Sequence, residues 1–139
     1  MIVLDTNVIS AVMSDPPVDE VAGWLDRQAQ SSIWTTSITI FEIRSGLHTM
    51  PAGRRQVRLS EVFEQFLEGI DHRVAYFDGE AAELAAELVA AREKKGRPGD
   101  MRDTMITGIV LARHASLATR NVTHFADIGA TVVDPWTSK

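Results

Sequence analysis

Apolar positions along the chain alternate between short continuous runs and the three-and-four spacing of amphipathic helices. Ile2-Val3-Leu4 is a β-branched run ended by Asp5, which predicts a buried strand. Thr6-Asn7 can open a helix carrying Val8, Ile9 and Val12, and Asp15-Pro16-Pro17 breaks it. Val18 to Gln30 predicts a second helix, with Val21, Trp24, Leu25 and Gln28 on one side. Ile33 to Ser37 predicts a second strand, and a helix with Ile40, Phe41, Ile43 and Leu47 follows it. After the turn Pro51-Ala52-Gly53, Arg54 to Gly69 is strongly amphipathic. Val74 to Phe77 predicts a third strand. Glu80 to Lys95 is rich in the strong helix formers Ala, Glu and Leu, and Gly96-Arg97-Pro98-Gly99 ends it. Asp100 caps a helix running to His114, and Leu117-Ala118-Thr119 and Thr131-Val132-Val133 predict the last two strands.

Strands that alternate with helices imply an α/β fold with a mainly parallel sheet covered on both faces. No repeat, linker or low-complexity segment interrupts it, so residues 1–139 are expected to form one domain. Hydrophobic residues make up 45% and charged residues 24%, which excludes the disordered classes. The chain contains no Cys, so disulfides, thiolate zinc sites and cysteine nucleophiles are excluded together. The net charge of −5 gives no global basic field for nucleic acid. The start lacks the basic region of a signal peptide, and no apolar run reaches the roughly 20 residues of a membrane span. A cytoplasmic protein with no membrane partner is expected.

Function in open α/β sheets gathers outside the carboxyl ends of the strands. Asp5 follows the first strand, Glu42 lies in the helix after the second, Asp100 and Asp103 open the helix before the fourth, and Asn121 follows the fourth. Carboxylates drawn together repel one another and raise a pKa, and a hard divalent cation relieves this. Mg²⁺ takes oxygen ligands, needs only one or two direct carboxylates, and suits phosphodiester hydrolysis. Each residue also has a structural role open to it. Asp5 can cap the helix beginning at Thr6, Glu42 can be an ordinary helix residue, and Asn121 can be a turn residue. Asp100 fits a helix cap, while Asp103 can serve both the helix dipole and a site. The four His have no metal-ligand spacing, which points to surface or capping roles. Arg54, Arg55 and Arg58 form one basic cluster, and Arg92, Lys94, Lys95, Arg97 and Arg102 another; each is either a solvated helix end or a phosphate-contacting rim.

Four stretches together resemble the PIN-domain family, and within it the VapC-type toxins. Val3-Leu4-Asp5-Thr6-Asn7 resembles the first motif, and Ser37 to Gly46, with Glu42 ahead of Gly46, the second. Gly96-Arg97-Pro98 with Asp103-Thr104-Met105-Ile106 resembles the third, and Ala118 to Phe125 the fourth. The ending Val133-Asp134-Pro135-Trp136 is also similar. The resemblance implies a three-layer PIN-like fold and a Mg²⁺- or Mn²⁺-dependent endoribonuclease acting on RNA. It also implies a homodimer and a cognate antitoxin. Asp5, Glu42 and Asp103 match the acidic triad, with Asp5 and Asp103 as metal ligands, and Asn121 completes the catalytic set. Thr6, Asn7 and Thr119 match positions that hold the site by hydrogen bonds. Many members carry Asp at the position of Asn121, which puts a second metal site in question here. The other function classes are a phosphatase using Asp5 as nucleophile, disfavoured because Asn7 stands where its second Asp belongs, and a non-catalytic PIN-like binding module.

Overall fold

The structure is a computed structural model and describes residues 1–138. The strands are β1 (Ile2–Leu4), β2 (Ile33–Thr36), β3 (Val74–Ala75), β4 (Ser116–Ala118) and β5 (Val132–Val133). They form one sheet in the order β3-β2-β1-β4-β5, and every neighbouring pair is parallel. The helices are α1 (Thr6–Met13), α2 (Asp19–Asp26), α3 (Ser37–Thr49), α4 (Arg54–Gly69), α5 (Gly79–Lys94) and α6 (Met101–Ala112). Short 3₁₀ turns cover Gln30–Ser32 and Val122–Phe125.

Three layers follow from the alternation of side chains along β1. Leu4 faces a core built with Val8, Ile9, Val21, Trp24, Phe63 and Leu67, from α1, α2 and α4. Its neighbour Val3 faces the opposite core, with Ile106, Val110, Leu117 and Phe125. Both residues are fully buried, as expected of a central parallel strand covered on both sides. Helices α5 and α6 pack closely because Gly108 has no side chain. A Cβ there would stand 2.3 Å from the carbonyl oxygen of Ala81.

Most predicted elements are present, with shifted ends. The second helix stops at Asp26 and does not run to Gln30. The Gln28 amide donates to the Trp24 carbonyl at 3.0 Å, and the Ser32 backbone turns into a 3₁₀ segment instead. Ser37 belongs to α3 because the Thr36 hydroxyl accepts the Thr39 N–H at 3.0 Å and caps the helix. The third strand keeps only Val74 and Ala75 of the predicted run. Among the described residues, no helix is long and apolar enough to cross a membrane.

Candidate functional site

The pairing of β1 with β4 sets Leu4 opposite Ala118, so the next residues, Asp5 and Thr119, emerge side by side at the carboxyl end of the sheet. The Thr119 hydroxyl donates to Asp5 Oδ2 at 2.7 Å, and the Asn7 amide donates to the same oxygen at 3.3 Å. Asp5 Oδ1 accepts the Thr6 backbone N–H at 2.8 Å, which makes Asp5 the N-cap of α1. The capping role and the site position therefore coincide in one residue. Asp5 is only 3% exposed, and that burial pushes its carboxyl above the usual range, against the hydrogen bonds from Thr119 and Thr6.

Glu42 sits in the second turn of α3 and leans toward Asp5 through an intermediary. Its Oε1 accepts the Thr6 hydroxyl at 2.9 Å, and its Oε2 lies 3.7 Å from Arg102. Burial raises its pKa as well, and the charges of Asp5 and Asp103 add to the rise. Asp103 occupies the first turn of α6. Its backbone N–H donates to Asp100 Oδ1 at 3.1 Å, so Asp100 caps the helix and the Asp103 carboxylate stays available. Burial again raises the Asp103 carboxyl, and so does the charge of Asp5. Asn121 donates its backbone N–H to Thr119 Oγ1 at 3.0 Å, as the chain enters the 3₁₀ turn.

Asp5, Glu42, Asp103 and Asn121 line one open cleft of about 590 Å³, together with Thr6 and Asn7. Asp100 faces a neighbouring cavity, which Asp103 also borders. The structure thus brings together all four residues named from the sequence, with Asp100 beside them as the cap of α6, its charge adding to the rise at Asp5 and Asp103.

Two assignments change. Arg92 is no part of a solvated basic rim. It is 5% exposed and binds Asp127 in a bidentate pair from one guanidinium edge, Nη2 at 3.0 Å and Nε at 3.2 Å. It also donates to the Thr104 hydroxyl and the His124 carbonyl, so it ties α5 to α6 and to the 3₁₀ turn. Gly99 leaves room for it, since a Cβ there would meet the guanidinium at 2.5 Å. His124 was missed as a site neighbour. Its Nδ1 lies 3.6 Å from Asp103 Oδ2, a closeness that only the loop after β4 creates and that no spacing along the chain signals.

The donor set is oxygen only, partly buried and mutually repulsive, which fits a hard divalent cation. Among the described residues, no three His, Asp or Glu side chains are placed to hold an ion by themselves.

The PIN-domain profile matches residues 2–130. The chain belongs to the PIN-domain family. A plasmid stability protein StbB of Pseudomonas syringae pv. tomato is 37% identical to this PIN-domain chain over 137 residues, covering 98% of it and 99% of the relative. A VapC ribonuclease, Y4jK, of Sinorhizobium fredii is 35% identical, covering 98% of each chain. The solved structure of FitAB bound to a DNA fragment contains a chain that superposes with a TM-score of 0.90 at 26% identity, covering 100% of this chain and 98% of that one. The PIN-domain fold expected from the sequence is the fold observed.

Proposed function

We propose that this chain is a metal-dependent endoribonuclease that acts as the toxin of a toxin–antitoxin pair. The observation that carries the proposal is the convergence of Asp5, Glu42 and Asp103 on one cleft, each with its carboxyl pushed above the usual range. Charges arranged at such cost call for a cation. Relatives named as a VapC ribonuclease and a FitB toxin support the activity, and the FitAB complex supports a small DNA-binding antitoxin as partner.

Asp5 and Asp103 are the proposed ligands of Mg²⁺ or Mn²⁺. Bound there, the ion would lower the pKa of a water and offset the charge on the scissile phosphate. Thr119 and Asn7 fix the Asp5 carboxylate by donating to its Oδ2, so it meets the cation without reorganising. Glu42, held by the Thr6 hydroxyl, completes the acidic cluster and accepts the proton of the attacking water. Asn121 offers a neutral amide that orients the phosphate without repelling it. A phosphatase needs a second acid at position 7. Asn7 is instead engaged with Asp5, Thr119 and the Arg120 N–H.

The test is cleavage of structured RNA by the purified chain, free of antitoxin, in Mg²⁺. Cleavage that stops on chelation and is absent in Asp5→Asn is expected. Full activity in Asp5→Asn would remove the mechanism.

A further inference from the structure

Arg120 and Trp136 stand on the rim of the cleft that holds the three carboxylates. The Arg120 guanidinium carbon lies over the Trp136 ring, 5.0 Å from its centroid. Arg44, Arg92 and Arg102 each reach a carboxylate, whereas among the described residues Arg120 has none within ion-pair distance. A cation that rests on an indole while acids stand close by keeps its N–H donors for something else.

The stack is fixed from both sides. Arg120 directly follows Thr119, whose hydroxyl binds Asp5, and its own backbone N–H donates to Asn7 Oδ1 at 3.3 Å. Trp136 follows the buried Pro135, donates its backbone N–H to Asp134 Oδ1 at 2.9 Å, and packs part of its ring against the core. The exposed Arg120 side chain is therefore the outer layer of a platform whose position is set by the same residues that set Asp5.

A flat cation backed by an aromatic ring suits a planar π-system that carries a nearby negative charge. A nucleotide supplies both, with its base stacking on the guanidinium and its phosphate accepting the N–H groups. Only an unpaired base has a face to offer, because a paired one is already stacked in its helix. We infer that the Arg120–Trp136 stack is a subsite for one unpaired nucleobase of the RNA, next to the bond that the acidic cleft addresses. That the ligand is RNA rests on the function proposed above.

The experiment uses the full chain carrying Asp5→Asn, which holds RNA uncleaved. Fluorescence anisotropy measures binding of a labelled single-stranded oligoribonucleotide and of an abasic oligomer of equal length. The base-bearing strand should bind about tenfold more tightly. Arg120→Ala and Trp136→Ala should erase that preference, while Trp136→Phe keeps most of it. Arg120→Lys should retain the salt dependence but lose the preference, since an ammonium does not stack. The melting temperature should be unchanged in both Arg120 variants, because the side chain is exposed; this separates a subsite from a fold contribution. An equal preference in Arg120→Ala and its parent, or no preference in the parent, would overturn the inference. Cleavage by the chain with Asp5 intact is scored separately. Cleavage without base preference removes the stack and leaves the nuclease. Preference without cleavage removes the nuclease and leaves the stack.

Discussion

Asp5 carries opposing demands. Its carboxylate caps α1, the residue is 3% exposed, and burial raises its pKa above the ordinary carboxylate value. A carboxyl whose folded pKa is raised costs stability as the pH climbs from its unfolded value through its folded one. The metal-free protein should therefore lose stability over that interval, and Asp5→Asn should flatten the loss. Thermal melts from acidic to neutral pH check this. At neutral pH the variant should melt no lower than the native chain, yet its Mg²⁺-dependent RNA cleavage should fall by at least about 100-fold. At the start of α6, Asp100→Asn should change cleavage little, because Asn also caps helices. Asp103→Asn should lower it as severely as Asp5→Asn. Parallel cleavage assays decide this, and the reverse order would move the third acid to Asp100.

At the scale of elements, the site depends on how α5, α6 and the 3₁₀ turn are clamped. Gly108 lets α6 lie against α5, and the contact distance to the Ala81 carbonyl leaves no space for a methyl group. Gly108→Ala should destabilise the fold by about 1–3 kcal/mol through overpacking, despite the better helix propensity of Ala. Chemical denaturation measures the outcome. Arg92 joins three elements at once, and its guanidinium holds the Asp127 carboxyl below the usual range. The sign here is opposite to that of Asp5. A lowered carboxyl pKa contributes stability above the unfolded value, and this is lost as the pH falls through the folded value. Arg92→Met should weaken the fold at neutral pH and shrink that acid-side dependence. It should also loosen the His124 turn that borders Asp103.

For the whole molecule, the balance of charge in the cleft sets how many ions it holds. Three carboxylates can neutralise one divalent ion with its waters, but two ions about 4 Å apart would be poorly compensated. Asn121 supplies no charge. The native chain should bind a single Mg²⁺ or Mn²⁺ in the absence of RNA, and millimolar metal should raise its melting temperature because only the folded chain gathers the acids. Asn121→Asp should tighten metal binding. Isothermal titration calorimetry of both forms tests this, and two ions on the native chain without RNA would refute it.

The sequence by itself determined the class of fold, because hydrophobic period is a local property and parallel strands buried on both faces leave continuous apolar runs such as Ile2-Val3-Leu4. Placement near the strand ends offered Asp5, Glu42, Asp100, Asp103 and Asn121, and the likeness to the PIN-domain motifs singled out Asp5, Glu42, Asp103 and Asn121 among them. The separation of Asp100 from Asp103 was partly legible, because a helix cap has a fixed offset from the N–H it accepts. Only the tertiary structure decided the rest. The register of β1 against β4 places Thr119 on Asp5, and no local pattern encodes a register between strands so far apart in the chain. Arg92 sat in a run of basic residues and reads as a solvated helix end, yet its partners Thr104, His124 and Asp127 arrive from later elements and draw it inside. His124 beside Asp103, and Arg120 over Trp136, are likewise meetings between side chains with no spacing rule to announce them. Periodicity records which face of an element is buried; the neighbour it is buried against is settled only when the layers close.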